Sequence, residues 1–310
     1  MDNRSFLRRL PGKIITPINI KTGRAIYKNG ANFTDNFTGN SRLQKARKMF
    51  KQSSNDNIPS SIEDNNTIQQ LNKLAAARYD KGFEKSIINS IIEEYKKVIN
   101  DPQHSCFVDE LGRRGRDKGH DIYLYDLFNP ASSVPSIRKI FTEEFKNFLR
   151  LYFQSEFRIE WVNMRRTIHI PQSKLEENYP HQPYSLKWHF DGHSTDTLKF
   201  FINLSDVTEN DGPLHFLDKE RSFQICKQGY FNRFNYGVGQ DVIEDKRYLH
   251  KLTGETGSSA FCNTTLCLHR AGVPAKGHTR DILEFNFSPA EKEFCINDLD
   301  SYSPPVSPYA

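Results

Sequence analysis

From Phe157 to Phe287 the hydrophobic pattern has a period of two. Phe157–Met164, Thr167–Ile170, Tyr184–Phe190, Leu198–Leu204, Leu214–Leu217, Ser259–Leu268 and Ile282–Phe287 each read as a strand bounded by turn-forming residues. Successive side chains on a strand point to opposite faces, so each segment offers one row to a core and one row elsewhere. Many short strands of this kind close into a sandwich or barrel. A double-stranded β-helix, the jelly-roll or cupin-like form, also gathers several inward-facing residues at one cavity mouth. The expected fold is therefore mainly β with flanking helices (α+β), its jelly-roll core spanning about 157–290.

The segments before the core have other periods. Phe83 to Ile99 carries Ile87, Ile88, Ile91, Ile92, Tyr95 and Val98 on one stripe, which predicts an amphipathic helix ended by Asp101-Pro102. Ile137, Ile140, Phe141, Phe145, Phe148, Leu149 and Tyr152 predict a second helix from Ser136 to about Phe153, and Asp121–Phe128 reads as a strand. Residues 1–66 are polar, and Ser53–Asn66 reads as a linker or loop, so the chain divides into an arm over 1–66 and a domain over 67–310. Residues 218–256 form an insertion between strands. Its aromatics (Phe223, Tyr230, Phe231, Phe234, Tyr236) and glycines suit a lid beside a site.

Within the core, His189 and Asp191 stand two apart on a predicted strand and so share a face, and His269 ends another strand-like run, Ala260–Leu268. Two imidazoles and one carboxylate are the donors of a facial triad for non-haem Fe(II), which leaves the opposite face open. His193, four residues after His189, is a competing ligand by helical spacing, but no Glu follows His189 and the flanks read as strand. Arg280 stands eleven residues after His269, and Ile282, Glu284 and Asn286 share its parity. A guanidinium grips a carboxylate through two parallel hydrogen bonds, so an Arg near a metal suits a dicarboxylate chelating that metal. Lys199 opens the strand after the pair, with Phe201 and Asn203 on its parity; Thr265 and Cys267 share the parity of His269.

These residues resemble the phytanoyl-CoA dioxygenase-like branch of the Fe(II)/2-oxoglutarate oxygenases. The resemblance runs from about Pro135 to Pro289. It is carried by Trp188-His189-Phe190-Asp191, the strand Leu198–Ser205, the turn Asp206-Val207-Thr208-Glu209-Asn210-Asp211-Gly212-Pro213-Leu214, the segment Gly257–His269 and Arg280. Two departures are visible. Asp211 separates Asn210 from Gly212, where the family has Asn-Gly adjacent, and Phe216-Leu217-Asp218-Lys219-Glu220 stands where the family has Pro-Gly-Ser-His. The resemblance implies Fe(II) held by His189, Asp191 and His269. It implies 2-oxoglutarate gripped by Arg280, with Lys199 as an auxiliary contact, and O2 as oxidant. Oxidative decarboxylation to succinate and CO2 would then drive hydroxylation of an unactivated C–H bond. Asp191 bears on the outcome, because related halogenases lack the carboxylate.

Composition narrows the partners. The chain carries a formal charge of +5 with basic clusters at Arg42–Lys51 and Arg113–Lys118, which favours a small-molecule substrate bearing an anionic group. No nucleic-acid-binding motif accompanies the charge, and no apolar run is long enough for a bilayer. Five scattered cysteines without a paired spacing fit reduced thiols, and no secretory signal is read at the start, so a cytoplasmic protein is expected. Two other classes compete: a cupin-like metalloenzyme without 2-oxoglutarate, which has no need of Arg280, and a catalytically silent jelly-roll binding protein, which has no need of the four residues together. The sequence sets no oligomeric state.

Overall fold

The computed structural model describes residues 40–53, 61–101, 123–128, 130–169, 171, 188–191, 196–227 and 247–299. Helices α1 (Asn40–Ser53) and α2 (Ile62–Leu74) lead into a short strand β1 (Ala76–Arg78) and helix α3 (Lys85–Asn100). Strand β2 (Tyr123–Phe128), helix α4 (Glu143–Phe153) and strands β3 (Glu156–Ile168), β4 (Leu198–Asn203) and β5 (Leu214–Leu217) follow. Helix α5 (Lys219–Lys227) then precedes β6 (Leu249–Lys251), β7 (Ser259–Cys262), β8 (His269–Ala271) and β9 (Thr279–Ala290).

Two antiparallel sheets make the jelly roll. The large one has the order β1-β7-β4-β9-β3-β2 and the small one β6-β5-β8. The long pairing of β3 with β9 runs from Glu156 opposite Ala290 to Ile168 opposite Thr279 and fixes the register of the large sheet. Strand β9 is buried along nearly its whole length because both of its faces are covered. Leu283, Phe285 and Phe287 join Phe200, Phe261 and the apolar faces of α3 and α4 (Ile88, Ile91, Tyr95, Phe145, Phe148) in the main core. Ile282 faces the other way and packs with Phe201, Phe216, Cys262 and Cys267 in a second cluster.

Aromatic packing dominates the main core. The Phe200 and Phe261 ring centroids lie 4.4 Å apart and those of Phe148 and Phe261 4.6 Å apart. Such pairs contribute roughly 0.5–1.5 kcal/mol each beyond their burial. Truncating Phe200 to alanine would cost about 3–5 kcal/mol, since the ring is fully buried and its neighbours cannot all collapse into the void.

Several elements differ from the sequence reading, each for a local reason. The helix expected over Ser136–Phe153 is two pieces: a 3-10 helix at Pro135–Ile140, then α4, which Thr142 starts by accepting the Phe145 N–H on its side chain. The linker expected over Ser53–Asn66 meets a capped helix at Ile62, where Ser61 and Asp64 satisfy each other's backbone N–H groups. Lys81 then ties Asp64 (2.9 Å) to Glu144 of α4 (2.7 Å). The two strands expected over 157–170 are one, because Arg165 and Arg166 stay within it and find partners on opposite faces. Arg166 donates to Asp281 at 2.8 and 2.6 Å on the helix-covered face, whereas Arg165 reaches Glu284 at 2.9 Å on the other.

The strand expected over Ser259–Leu268 breaks after Cys262. The Asn263 side chain accepts the Thr265 N–H and hydroxyl, its carbonyl accepts the Leu266 N–H, and the chain crosses to the small sheet as β8. The two ends of the insertion take regular structure. Helix α5 covers Trp188 with Leu217, Ile225 and Leu268, and β6 extends the small sheet by pairing with β5. The middle of the insertion, the basic cluster at 113–118, the strand-like positions 184–187 and His193 lie outside the described residues. No helix among the described residues is long and apolar enough to cross a membrane.

Candidate metal centre

The backbone places the histidines before their side chains do. His189 and His269 exchange both N–H···O=C bonds, each at 3.0 Å. Directly opposed residues of an antiparallel bridge project to the same side, and the two imidazole centroids lie 4.2 Å apart. Asp191, two residues on, shares that face and donates its N–H to the Thr264 carbonyl at 3.0 Å. Its Oδ1 lies 3.6 Å from His189 Nε2 and 3.7 Å from His269 Nε2. One donor atom from each of the three residues lies within 4.8 Å of the others, a group able to hold a metal ion.

The protonation states suit that role. Burial pushes the His269 imidazolium pKa down to about 3, helped by His189, so the ring is neutral near pH 7. His269 Nδ1 lies 3.4 Å from the Cys267 carbonyl, which can only accept, so the proton sits on Nδ1 and the Nε2 lone pair faces Asp191 and His189. Burial alone would raise the Asp191 carboxyl. Lys199, His269 and His189 outweigh it and hold the group well below the usual carboxylate range.

The other oxygen of Asp191 has its own partners. Thr264 Oγ1 donates to Oδ2 at 2.6 Å and Lys199 Nζ lies 2.8 Å from it. Lys199 also pairs with Glu284 Oε1 at 3.0 Å, and its ammonium lies 4.9 Å over the Trp161 ring. Burial would lower the lysine pKa, but Asp191 and Glu284 raise it above the ordinary value, so Lys199 stays charged. Sequence parity pointed to Thr265 and Cys267 beside His269. After the break in the strand, Thr265 turns to Asn263 and the neighbouring Thr264 makes the contact with Asp191. Glu284 was recognisable only by its shared parity with Arg280.

Arg280 is buried at 4% exposure on the inner face of β9. It lies directly opposite Thr167, and its Nη1 donates to the Gly212 carbonyl. Four residue steps along the strand separate it from Glu284, roughly 13 Å at the rise of an extended chain. Gly212 adopts φ +66, and a Cβ there would meet the Pro274 nitrogen at 2.6 Å, so only glycine fits. The extra Asp211 before it closes the turn by accepting the Thr208 N–H at 2.8 Å and pairing with His278 at 2.9 Å.

Fold and site together define a jelly roll with a His-x-Asp…His group, both imidazoles buried, where its two sheets meet. Among solved structures it is similar to EctD from S. alaskensis in its apoform, with a TM-score of 0.52, 13% identity, and coverage of 76% of this chain and 79% of that one. It is also similar to EctD from S. alaskensis with 2-oxoglutarate and 5-hydroxyectoine, with a TM-score of 0.51, 13% identity, and coverage of 82% and 88%. No protein-family profile matches the chain, and no curated protein matches it in sequence. At this identity the likeness establishes the jelly-roll fold. The donor set of the site fits Fe(II), a borderline metal served by imidazole and carboxylate together.

Proposed function

We propose that the chain is a non-haem Fe(II)- and 2-oxoglutarate-dependent oxygenase of the phytanoyl-CoA dioxygenase-like type. Its reaction is hydroxylation of an unactivated C–H bond in a small molecule, with succinate and CO2 released. The observation that carries this reading is the placement of neutral His269, His189 and the ionised Asp191 around one point, with Arg280 buried on the inner face of β9. That EctD has been solved with 2-oxoglutarate in the same fold supports the choice of cosubstrate.

In this reading His189, Asp191 and His269 would hold the metal, which would supply O2 activation for the oxidative decarboxylation of 2-oxoglutarate. Arg280 takes the far carboxylate of the cosubstrate, and the Gly212 carbonyl fixes the guanidinium for it. His269 presents its lone pair because Cys267 holds its other nitrogen. Burial of the two imidazoles at 3% and 5% exposure keeps bulk water off the reacting groups. An anionic small molecule is the substrate class, in keeping with the net charge of +5.

Anaerobic addition of Fe(II) and then 2-oxoglutarate tests this. A visible metal-to-ligand charge-transfer band is expected in the wild type, lost in His189→Ala and weakened in Arg280→Ala. Bound metal without a band on adding 2-oxoglutarate would overturn the cosubstrate assignment.

A further inference from the structure

Three charged side chains on the inner face of the large sheet and Asp191 beside it alternate in sign. Arg165 lies 2.9 Å from Glu284, Glu284 lies 3.0 Å from Lys199, and Lys199 lies 2.8 Å from Asp191. Glu284 is 1% exposed. Buried charges are costly unless each is matched, and apolar residues of the same size would often serve stability as well. The chain of charges therefore calls for a role at the end where it stops, which is Oδ2 of Asp191.

A carboxylate can bind a metal through one oxygen or through both. At Asp191 the two oxygens are sorted: Oδ1 faces the imidazoles, while Oδ2 is held by Lys199 and by the Thr264 hydroxyl at 2.6 Å. We propose that Lys199 and Thr264 are positioning residues that restrict Asp191 to one-oxygen coordination, with Glu284 holding the Lys199 ammonium in place. This rests on the oxygenase reading above and gives it a cause. With three protein donors on the metal, a second Asp191 oxygen would take a position that the chelating cosubstrate needs. Arg165 completes the chain by compensating Glu284.

The proposal separates two constants that an ordinary structural role would move together. Releasing Oδ2 lets Asp191 bind the metal through both oxygens, so metal binds more tightly and cosubstrate less tightly. The experiment measures anaerobic Kd for Co(II), then for 2-oxoglutarate on the Co(II)-loaded protein, together with the visible Co(II) bands before cosubstrate is added. Wild type is compared with Lys199→Met and Thr264→Val. In both variants we expect the Co(II) constant to tighten and the 2-oxoglutarate constant to weaken, each by about tenfold, the scale on which partners of metal ligands act. The Co(II) bands should also change shape. Thr264→Val alters no charge, so tightening there cannot come from loss of a repelling ammonium. It also carries the test if Lys199→Met does not fold.

Weakening of both constants together, or no change in either, would overturn the proposal. So would weaker 2-oxoglutarate binding with an unchanged metal constant and spectrum, which would place Lys199 on the cosubstrate. Failure of the oxygenase reading shows separately: wild type would then take up no Co(II), or His269→Ala would bind it as well as wild type does.

Discussion

Arg166 and Asp281 form a two-point ion pair, 2.8 and 2.6 Å, on the face of the large sheet that packs against helix α3. The Tyr95 hydroxyl of α3 donates to the same carboxylate at 3.2 Å. Asp281 is the immediate neighbour of Arg280, but strand parity sends the two side chains to opposite faces. One residue thus locks the sheet to its helix while its neighbour lies buried on the inner face against the Gly212 carbonyl.

That division of labour is testable. Asp281→Ala should lower stability by about 2–3 kcal/mol, at or below the range for breaking a buried pair because Arg166 keeps some contact with solvent. Metal affinity should be unchanged. Urea denaturation and Co(II) titration of the same preparation check both parts.

Replacing Arg280 by lysine keeps the charge but loses the two-point grip on a carboxylate. The 2-oxoglutarate constant should weaken about tenfold or more, with the metal constant unmoved. Isothermal titration on the Co(II)-loaded protein measures it, and equal affinity in the two proteins would remove Arg280 from the cosubstrate site.

Gly212→Ala should be severe. The added methyl meets the Pro274 nitrogen at 2.6 Å and the Gly272 carbonyl at 2.7 Å, and the backbone sits at φ +66. The left-handed conformation alone costs about 1–2 kcal/mol for a residue with a side chain, and the clash adds to it. A lower Tm, with weaker 2-oxoglutarate binding in whatever fraction folds, is the expected outcome of a thermal melt and titration.

His215 provides a pH dependence away from the triad. Burial, with Arg270 and Lys251 nearby, pushes its pKa down to about 4 from an ordinary 6.5. Between those values the unfolded chain binds a proton that the folded protein refuses. His215 therefore costs nothing above pH 6.5, and its penalty grows as pH falls from 6.5 toward 4. With a discount for its partial exposure, the penalty at pH 5 is about 1 kcal/mol. His215→Gln should lose this part of the acid sensitivity, read as a smaller drop in urea midpoint between pH 7.5 and 5 than in wild type.

How much of this could be read beforehand differs by residue. His189, Asp191, His269 and Arg280 stood out because their types and spacing announce a chemistry, and the structure brings the first three together. Strand parity correctly put Glu284 and Asn286 on one row with Arg280. Parity failed where the strand failed: Asn263 makes a turn, and the contact with Asp191 passes from Thr265 to Thr264. Helix α2 was hidden because its asparagine-rich surface resembles a loop, and only the Ser61–Asp64 cap marks its start. The partners of Lys199 were not legible at all, since they come from three separate segments and only tertiary packing joins them.

The reciprocal backbone bond between His189 and His269 has a consequence for assembly. A loop-borne ligand pair can form early and wait for its metal, but this pair exists only once the chain between them has closed across the small sheet. Closing so long a segment is slow compared with local structure. Capture of a metal at this pair would therefore report a late event, and in a chain nicked between Asp191 and His269 the pair would re-form only when the two halves find each other again.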